Sequence, residues 1–480
     1  MRWTYSTWLS IVRFILPESR RGALAWLALV ICVCYFNSLS GAFQFDDYKI
    51  IVDYPGVHSW DAWREKIGYG IRPLLKLSYT LNWISGWGVA GFHLTNLLIH
   101  LCNVWLVYSL AGEFVRAQAP RERLRDVPLL TALLFAAHPV NTEAVTYICG
   151  RSISLMTLFY LAGMLAYVTG RTQHNKIYLH VLAPALFVIA LSVKETAVTF
   201  PLALLAWELC CGGTWKAALT DMNPLTSILS RKRARRQTRN AISNSWTSWL
   251  VLLLGALFFL FNASYLAQME RSAGLNSLQG NMATQALAFA YLLRQWLLPF
   301  WLNIDPDLHV VHDFSGTMPQ LLLLAAAIVL MLYTLRRRPW IGFGLAWVLI
   351  QLLPLYILLP RLDVANDRQM YLAGWPLALA GVAELSIWAR RRTLALVFAL
   401  GSMTILRNDV YQDEITLWEN TLAQSPGKAR AHNNLGYAYM VAGRNGEARR
   451  EFIAALKIEP GHVKAWNNLS RLESEAVQLP

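Results

Sequence analysis

Charged residues are scarce in this sequence: they make up 15% of its 480 positions, against 55% hydrophobic residues, and the mean hydropathy is +0.35. A chain with so few charges cannot cover a large surface in water, so the composition indicates an integral membrane protein. The formal net charge of +14 would otherwise point to nucleic acid. The basic residues lie between apolar segments, where the positive-inside rule places them, and we therefore expect no nucleic-acid partner.

Cysteine is also rare, and no CxxC pair occurs. Nearly all of the cysteines lie inside apolar runs, as small hydrophobic residues do: Cys32, Cys34, Cys102, Cys149, Cys210 and Cys211. We predict neither a disulfide framework nor a zinc site. The nucleotide motifs GxGxxG and GxxxxGK[ST] and the zinc motif HExxH are absent as well, so no nucleotide- or zinc-binding signature is available.

Long apolar runs recur along most of the chain, and about eleven of them can cross or nearly cross a bilayer. They lie at 22–40, 93–115, 127–147, 152–169, 178–193, 197–213, 248–267, 319–335, 340–359, 371–389 and 393–407. If the basic clusters between them, including the run at 231–239, face the cytoplasm together with the N terminus, the alternation of spans closes only when 284–300 does not cross fully, and we interpret 284–300 as a re-entrant or interfacial helix. Loops 41–92 and 268–318 and the C terminus then lie outside.

After residue 407 the sequence changes to that of a soluble helical segment. Small, aromatic and breaker residues occupy the positions expected of a 34-residue tetratricopeptide repeat: Leu435, Gly436, Tyr439, Ala448, Phe452, Ala455 and Pro460. We predict an all-α membrane protein with a transmembrane catalytic domain at 1–407 and a tetratricopeptide domain at 408–480. Such a short stack could cap the last span or bind a protein, and the sequence leaves both open.

Paired acids, Asp46 and Asp47, follow the first apolar run, and more polar residues recur at the same predicted outer face. These are His58, Arg72, Lys76, His93, His138, Asn141, Glu143, Arg151, Lys194, Glu195, Asp363, Asp367 and Arg368. Charges inside 138–151 and 193–198 cost free energy if they face lipid, which favours a shared wet cavity. Ion pairs between helices, such as Glu143 with Arg151 or Lys194 with Glu195, are the alternative.

A cavity of this kind suits group transfer from a lipid-linked donor. A carboxylate can act as general base toward an acceptor hydroxyl that attacks an activated carbon. Arginine and lysine can hold a phosphate leaving group as its charge develops. A membrane-soluble phosphate ester of a sugar is the donor that these residue types fit.

Several motifs, in this order, resemble one known family. They are FDD at 45–47, RPLLKLSYTLN at 72–82, FHLTNLLIH at 92–100, HPVNTEAVTYICGRSISL at 138–155, KET at 194–196, NDRQMYL at 366–372 and the repeat tail. The chain resembles, over nearly its whole length, the transmembrane and tetratricopeptide-repeat-containing O-mannosyltransferases and their bacterial relatives. The resemblance implies a GT-C-type polytopic helical bundle. It also implies transfer of a sugar from a polyprenyl or dolichyl phosphate to Ser or Thr of a protein, with inversion, on the outer or luminal side.

The resemblance also implies roles for individual residues. Asp46 matches the proposed base, and Asp47 would orient it or the acceptor. The residues implied near the donor phosphate are Arg72, Lys76, Arg151, Lys194 and Arg368. The supporting polar pocket comprises His93, His138, Asn141, Glu143 and Glu195. We expect no obligatory metal or cofactor beyond the polyprenyl-phosphate sugar, because cations can meet the charge of the leaving phosphate.

The chain departs from animal members of the family in having about one complete repeat. That departure favours a multi-pass enzyme of a bacterial inner membrane, with its repeats in the periplasm and a pilin or other secreted protein as acceptor. The sugar could be mannose or a pentose such as arabinofuranose. Two alternatives remain open from the sequence: a sugar transferase that acts on lipid A or a cell-wall glycan, and a non-catalytic scaffold that docks partners through its repeats.

Overall fold

The computed structural model describes residues 19–67, 71–118, 124–211, 249–250, 252–257, 267, 276–353, 357, 363–385 and 389–477. The regular secondary structure of this part of the chain is all helical, with no β-strand. The arginine run at 231–239 and most of the predicted span 248–267 lie outside the described residues.

The α-helices of the described part are named here in chain order. They are α1 (Arg20–Tyr35), α2 (Trp60–Lys66), α3 (Pro73–Ser85), α4 (Gly88–Ala117), α5 (Val127–Ala137), α6 (Thr142–Val145), α7 (Arg151–Thr172), α8 (Ala183–Val193), α9 (Phe200–Cys211), α10 (Leu278–Leu297), α11 (Met318–Arg337), α12 (Pro339–Leu352), α13 (Met370–Ala373), α14 (Trp375–Leu385), α15 (Ala389–Asp409), α16 (Glu414–Gln424), α17 (Ala429–Val441), α18 (Asn445–Ile458) and α19 (Val463–Val477).

Short 3₁₀ or π turns join or extend several of these helices. They cover Phe36–Ser40, Tyr48–Val52, Pro55–Val57, Pro139–Asn141, Ile148–Gly150, Tyr178–Leu182, Glu195–Thr199 and Asp367–Gln369. The predicted span 127–147 is interrupted in this way: its helix ends at Ala137, and Pro139 opens a 3₁₀ turn. Proline cannot donate the backbone hydrogen bond that would continue the helix, which accounts for the break.

Among the described residues, four helical segments are long and apolar enough to span a membrane: Arg20–Ser40, Gly88–Ala117, Ile148–Thr172 and Met318–Arg337. A bent pair, Arg390–Asp409 with Glu414–Gln424, would add a fifth. Shorter apolar helices also occur, at Val127–Ala137, Tyr178–Val193, Pro339–Leu352 and Trp375–Leu385. The chain is therefore a multi-span membrane protein, while the total of about eleven spans stays a prediction.

Helix α4 carries a polar stripe on its buried face. His93, Asn96, His100 and Asn103 recur every three or four residues, so they share one side of the helix. Asn96 donates from Nδ2 to the Val145 carbonyl at 3.0 Å, and Asn103 donates to the Ser154 carbonyl at 2.8 Å. His100 Nδ1 lies 2.7 Å from the Tyr371 hydroxyl. These side chains satisfy polar groups inside the bundle and fix the segment 142–155 against α4.

Helix α11 is the most exposed of the long apolar helices, with only 6% of its apolar window buried. Beside it lies an apolar groove of about 420 Å³. The groove is lined by one face each of α9, α11 and α12, with Leu202, Leu205, Leu332, Ile350 and Leu353 among its walls. An exposed apolar surface of this size suits contact with lipid chains.

The C-terminal helices α16 to α19 follow one another with short connections and pack in sequence. The residues that fit the repeat pattern in α17 and α18 lie between these helices, and Phe452, Ala448 and Ala455 are fully buried. A methyl group added at Gly436 would come within 2.7 Å of the Phe452 ring, so the two helices approach closely there. Their assignment to the tetratricopeptide class stays a prediction.

The segment after α1 contacts the end of α15 and the residues that follow it. Asn37, after α1, donates to the Asp409 carboxylate at 2.8 Å, and Asn408 donates to the Cys34 carbonyl at 2.9 Å. Gln44 donates from Nε2 to the Tyr411 carbonyl at 2.6 Å. The loop that follows the first span is therefore held by the segment that follows the last described apolar helix.

Candidate active site

The loop that carries the paired acids is fastened by the second of them. Asp47 is fully buried, and its carboxylate accepts hydrogen bonds from the backbone N–H groups of Gln44 at 3.0 Å and Cys149 at 2.8 Å. Burial raises the pKa of Asp47 to about 7, and the charge of Asp46 adds to that rise while the two N–H groups oppose it. Asp47 therefore joins the loop to the turn before α7.

Asp46 remains partly exposed beside its buried neighbour. Its backbone N–H donates to the Tyr147 hydroxyl at 3.1 Å. The preceding residue, Phe45, has φ +49°, in the left-handed region that non-glycine residues rarely occupy. A strained backbone conformation of this kind persists only where the surrounding structure holds it, and such conformations cluster at functional sites. Here the next residue, Asp46, lines a pocket.

Separate parts of the chain form that pocket. Its walls are Phe45, Asp46, Glu143, Ile304, Asp305, Asp363, Ala365, Asn366, Arg368 and Arg430. The enclosed volume is only about 20 Å³, which is room for about one water molecule. In this structure the pocket is therefore closed, and a sugar or peptide must displace part of its walls to enter.

Glu143 and Arg368 form the ionic centre of the pocket. Glu143 accepts a hydrogen bond from the Arg368 backbone N–H at 2.9 Å, and its other oxygen lies 3.5 Å from Arg368 Nε. The positive charges of Arg407 and Lys194 also act on Glu143. The partner of Glu143 is thus Arg368 and not Arg151, the partner in the ion-pair alternative considered from the sequence.

A second charged group surrounds the KET motif. Arg72 donates to Glu195 in a bidentate arrangement, at 3.1 Å from Nε and 2.8 Å from Nη2. Arg72 also has a left-handed backbone, with φ +58°. Lys194 is buried, and its Nζ lies 3.5 Å from the Ser152 hydroxyl. Because Lys194 also acts on Glu143, it links this group to the Asp46 pocket.

Lys76 lies one turn after Arg72 on α3, with its ammonium group 5.1 Å from the centre of the Tyr54 ring. This places it next to Arg72 in the same part of the molecule. Among the described residues, Lys76 is not part of the wall of the Asp46 pocket.

Arg151, predicted near the donor phosphate, is surrounded by protein groups. Its guanidinium is fully buried and donates to the Asn96 side chain at 2.6 Å and to the carbonyls of Phe92 and Ser78 at 2.8 and 3.1 Å. The rings of Tyr79 and Phe92 cover it. Each nitrogen of the Arg151 guanidinium donates to a protein acceptor, and these bonds join α3, α4 and α7. Its contact with the donor phosphate stays a prediction.

The predicted supporting residues other than Glu143 and Glu195 also have structural partners. His138 accepts from the Val140 N–H through Nδ1, and its Nε2 lies 2.9 Å from the Trp296 carbonyl. Asn141 donates to the Phe135 carbonyl at 2.7 Å, and His93 Nε2 lies 3.2 Å from the Gly41 carbonyl. These contacts fasten the turns around the pocket, and none of the three side chains lines it.

Sequence reasoning missed three charged residues of the site. Asp305 and Arg430 line the pocket, and the charge of Arg407 acts on Glu143. Arg407 ends the last predicted apolar run, and a charge at the end of an apolar run could have indicated a site residue. Arg430 lies in a solvent-type helix where basic residues are common, so only the three-dimensional structure reveals its place.

We find no cluster of three or more His, Cys, Asp or Glu side chains arranged to hold a metal ion in the described part of the chain. The charged groups near Asp46 instead combine acids with arginine and lysine. Such an arrangement can take a proton from a hydroxyl on one side and stabilise a phosphate on the other.

Comparison with known proteins gives several relatives. The chain is 25% identical to the protein O-mannosyl-transferase TMTC1 of Homo sapiens, over 96% of this chain and 59% of that protein. It is 25% identical to TMTC4 of Homo sapiens, over 86% of this chain and 63% of that protein. It is 24% identical to the protein O-mannosyl-transferase F38B6.6 of Caenorhabditis elegans, over 92% of this chain and 63% of that protein.

These similarities confirm the resemblance predicted from the sequence motifs. The chain spans about half to two thirds of the length of the curated relatives that it matches. No protein-family model matches the chain, and no solved structure matches it.

Proposed function

We propose that this protein is a glycosyltransferase that moves a sugar from a polyprenyl-phosphate carrier to a Ser or Thr hydroxyl of a protein. The observation that carries the proposal is the position of Asp46, in a pocket beside Glu143 and Arg368 and held there by the buried Asp47. The relatives named protein O-mannosyl-transferases support the class of reaction.

The proposed mechanism is a single inverting displacement. The Asp46 carboxylate takes the proton of the acceptor hydroxyl as its oxygen bonds to the anomeric carbon. The bond from that carbon to the phosphate oxygen breaks, and its electron pair leaves with the lipid phosphate. Arg368, Lys194 and Arg72 are the cations placed to meet the developing charge, so the proposal requires no obligatory metal.

The apolar groove beside α11 suits the isoprenoid tail of the donor. The two walls α9 and α12 are joined near one end of the groove, where Thr199 donates to the Gln351 side chain at 2.9 Å. Thr199 ends the 3₁₀ turn that begins at Glu195, next to Lys194. A tail in the groove would therefore bring its phosphate toward the KET motif and its cations.

The remaining parts of the proposal concern setting and substrates. We place the enzyme in a bacterial inner membrane, with an N terminus in the cytoplasm and its C-terminal helices in the periplasm. The acceptor is a pilin or another secreted protein, and the sugar is mannose or a pentose such as arabinofuranose. The identity of the relatives favours mannose as the first donor to test.

The Asp46→Asn variant tests the proposal. Loss of a general base costs about 10²–10⁴-fold in rate, so transfer should fall below detection in cells while the protein still inserts. Asp53→Asn is the matched control, because Asp53 is exposed, lies in the same loop and does not line the pocket. The measurement is the intact mass of secreted and envelope proteins from a deletion strain that carries each variant.

The outcomes separate the proposal from its rivals. Protein masses that drop by one sugar in Asp46→Asn cells, and not in Asp53→Asn cells, support it. Unchanged protein masses with an altered glycolipid or glycan would assign the acceptor to lipid A or the cell wall. Full function of the Asp46→Asn variant would contradict catalysis by Asp46 and favour the scaffold.

A further inference from the structure

The turn between α16 and α17 is bound to the loop at 302–307, two residues of which line the Asp46 pocket. Gln424 donates from Nε2 to the Leu302 carbonyl at 3.1 Å. Arg430, near the start of α17, donates to Asp305 from Nε at 2.7 Å and from Nη2 at 2.6 Å. One wall of the pocket is therefore held by the C-terminal helices.

Ser425 joins α16 to this loop through its hydroxyl group. The hydroxyl oxygen accepts hydrogen bonds from Asn303 Nδ2 at 2.7 Å and from the Asp307 backbone N–H at 3.0 Å. Ser425 caps the C-terminal end of α16 and is almost completely buried, as is Asn303. A buried donor that loses its acceptor finds no water in its place, so these two contacts fix the loop against the helix.

Asn303 also contacts the segment that carries Arg368. The Asn303 backbone N–H donates to the Asp367 carboxylate at 2.8 Å, and Asp367 is buried. Asp367 directly precedes Arg368 in the 3₁₀ turn Asp367–Gln369. Glu143 holds the same turn, since it accepts from the Arg368 N–H at 2.9 Å. The backbone around Arg368 is thus fixed by two hydrogen bonds, one to Glu143 and one from Asn303.

The Arg368 side chain lines the Asp46 pocket and is 20% exposed. In the proposed mechanism its guanidinium group meets the charge of the leaving phosphate. A guanidinium group pairs with phosphate best in a planar, bidentate arrangement, which depends on its orientation. A displacement of about 1 Å, caused by a change far from the chemistry, can cost about 10²-fold in rate. The contacts that hold the Arg368 backbone therefore affect the rate of transfer.

We propose that Ser425 is a positioning residue for the transfer reaction and holds the Arg368 guanidinium group where the phosphate leaves. It acts through Asn303 and Asp367 and does not line the pocket itself. The inference rests on the proposed function and extends its donor site to a residue of the C-terminal helices. These helices then act on the donor side of the reaction, a role separate from capping the last span or binding a protein.

The Ser425→Ala variant tests the inference in the full-length protein, reconstituted in vesicles with polyprenyl-phosphate mannose and a pool of peptides that contain Ser or Thr. The substitution removes one hydroxyl group and no carbon atom, so we expect the variant to fold. Turnover per folded molecule should fall about 10- to 100-fold. KM for the donor should change little, because the lost interaction is made in the transition state.

The matched control is Thr421→Val, which removes another buried hydroxyl group of α16. The Thr421 hydroxyl donates to the Leu417 carbonyl of its own helix at 2.8 Å. Each variant loses a buried hydrogen bond, so thermal unfolding should show some loss of stability in both. Turnover should fall in Ser425→Ala alone. A Ser425→Ala enzyme with the same turnover as Thr421→Val overturns the inference.

A double-mutant cycle with Arg368→Lys separates positioning from a general structural effect. Lysine keeps the positive charge and lacks the planar guanidinium group. If Ser425 acts through that group, adding Ser425→Ala to Arg368→Lys should lower turnover less than about threefold. A further fall as large as the one in the unmodified enzyme would contradict the inference. An unmodified enzyme that transfers mannose to no peptide would instead remove the proposed function and the inference with it.

Discussion

The two adjacent acids, Asp46 and Asp47, have different roles in the structure. Asp46 faces the pocket, whereas Asp47 is buried and accepts two backbone N–H groups that shape the loop. Neither position can take over the role of the other, because a carboxylate at 47 does not reach the pocket. Asp47 is therefore a positioning residue, and its titration affects stability.

The pH dependence of unfolding tests this assignment. An Asp in an unfolded chain titrates near ~3.9, and burial raises the pKa of Asp47 to about 7, so the folded protein binds this proton more tightly. The free energy of unfolding should fall as the pH rises from about 4 to about 7. Asp47→Asn removes the titration and leaves one N–H group without an acceptor, at a cost of about 1–3 kcal/mol.

Thermal unfolding in detergent at about pH 5 and about pH 7.5 measures both effects. The variant should be less stable than the unmodified protein and should change less between the two pH values. An equal change in both proteins would show that Asp47 keeps the same pKa when the chain unfolds.

Arg72 combines a charge with an unfavourable backbone conformation, and two substitutions separate them. Arg72→Ala loses the contact with Glu195 and keeps the left-handed strain, whereas Arg72→Gly loses the contact and relieves the strain. We expect Arg72→Gly to be more stable than Arg72→Ala by about 1 kcal/mol in chemical unfolding. Transfer activity should fall equally in both, since both lack the guanidinium group.

At the scale of one residue, the sequence indicated which charged residues are unusual in their position, but not what each of them does in the structure. A charge inside an apolar run marks either a wet cavity or a buried contact, and sequence alone does not separate the two. Glu143 and Lys194 lie at or next to the pocket, while Arg151 carries the same signal and is used to join helices. Arg430 carried no such signal because its helix is amphipathic, and basic residues are common on the polar face of such a helix.

The turn between α6 and α7 helps to position two acids, Asp47 and Glu143. It provides the Cys149 N–H for Asp47, follows α6, which contains Glu143, and passes close to that residue at Gly150. A methyl group at Gly150 would come within 2.0 Å of the Glu143 carbonyl oxygen and 3.0 Å of the Ala144 backbone. Backbone cannot yield as a flexible side chain can, so this turn requires glycine.

Gly150→Ala should therefore destabilise the protein by about 3 kcal/mol or more, and transfer should be lost with it. The matched control is Gly446→Ala in α18, where a methyl group meets nothing within 4 Å. Alanine there should be neutral or stabilise the helix by up to about 1 kcal/mol. Expression level and thermal unfolding of the two variants measure the contrast, and a Gly150→Ala variant of normal stability would show that the turn can rearrange.

The helices themselves could largely be predicted, because apolar runs and prolines are local signals. The runs at 22–40, 93–115 and 319–335 correspond to Arg20–Ser40, Gly88–Ala117 and Met318–Arg337. The break after Ala137 has a local signal in Pro139. The turn at Glu195–Thr199 was harder to foresee, because side chains from distant segments, Arg72 and Gln351, hold it.

At the scale of the whole molecule, the loop that carries Asp46 and Asp47 packs against the C-terminal helices. Deletion from Glu414 to the end would remove the acceptor of the Phe45 N–H, the Trp418 ring and Arg430 together. We expect this truncation to abolish transfer even though the apolar helices remain. A shorter deletion, from Pro460 onward, removes α19 alone and should leave most of the activity.

The measurement is again the intact mass of acceptor proteins in cells with equal amounts of each variant in the membrane. Normal glycosylation by the longer truncation would show that the apolar bundle is sufficient for the reaction. Loss of function with both truncations, together with full function of Asp46→Asn, would instead favour a docking role for the helices.

The contacts between the loop of the paired acids and the segment after α15 have a consequence for biosynthesis. Gln44 leaves the ribosome long before its partner Tyr411, which lies 367 residues later. At about 5–20 residues per second, the interval is on the order of tens of seconds. During that time the loop lacks its contact with Tyr411 and the pocket lacks Arg430, so a chain that terminates before this segment is inserted in the membrane with the Asp46 pocket unfinished.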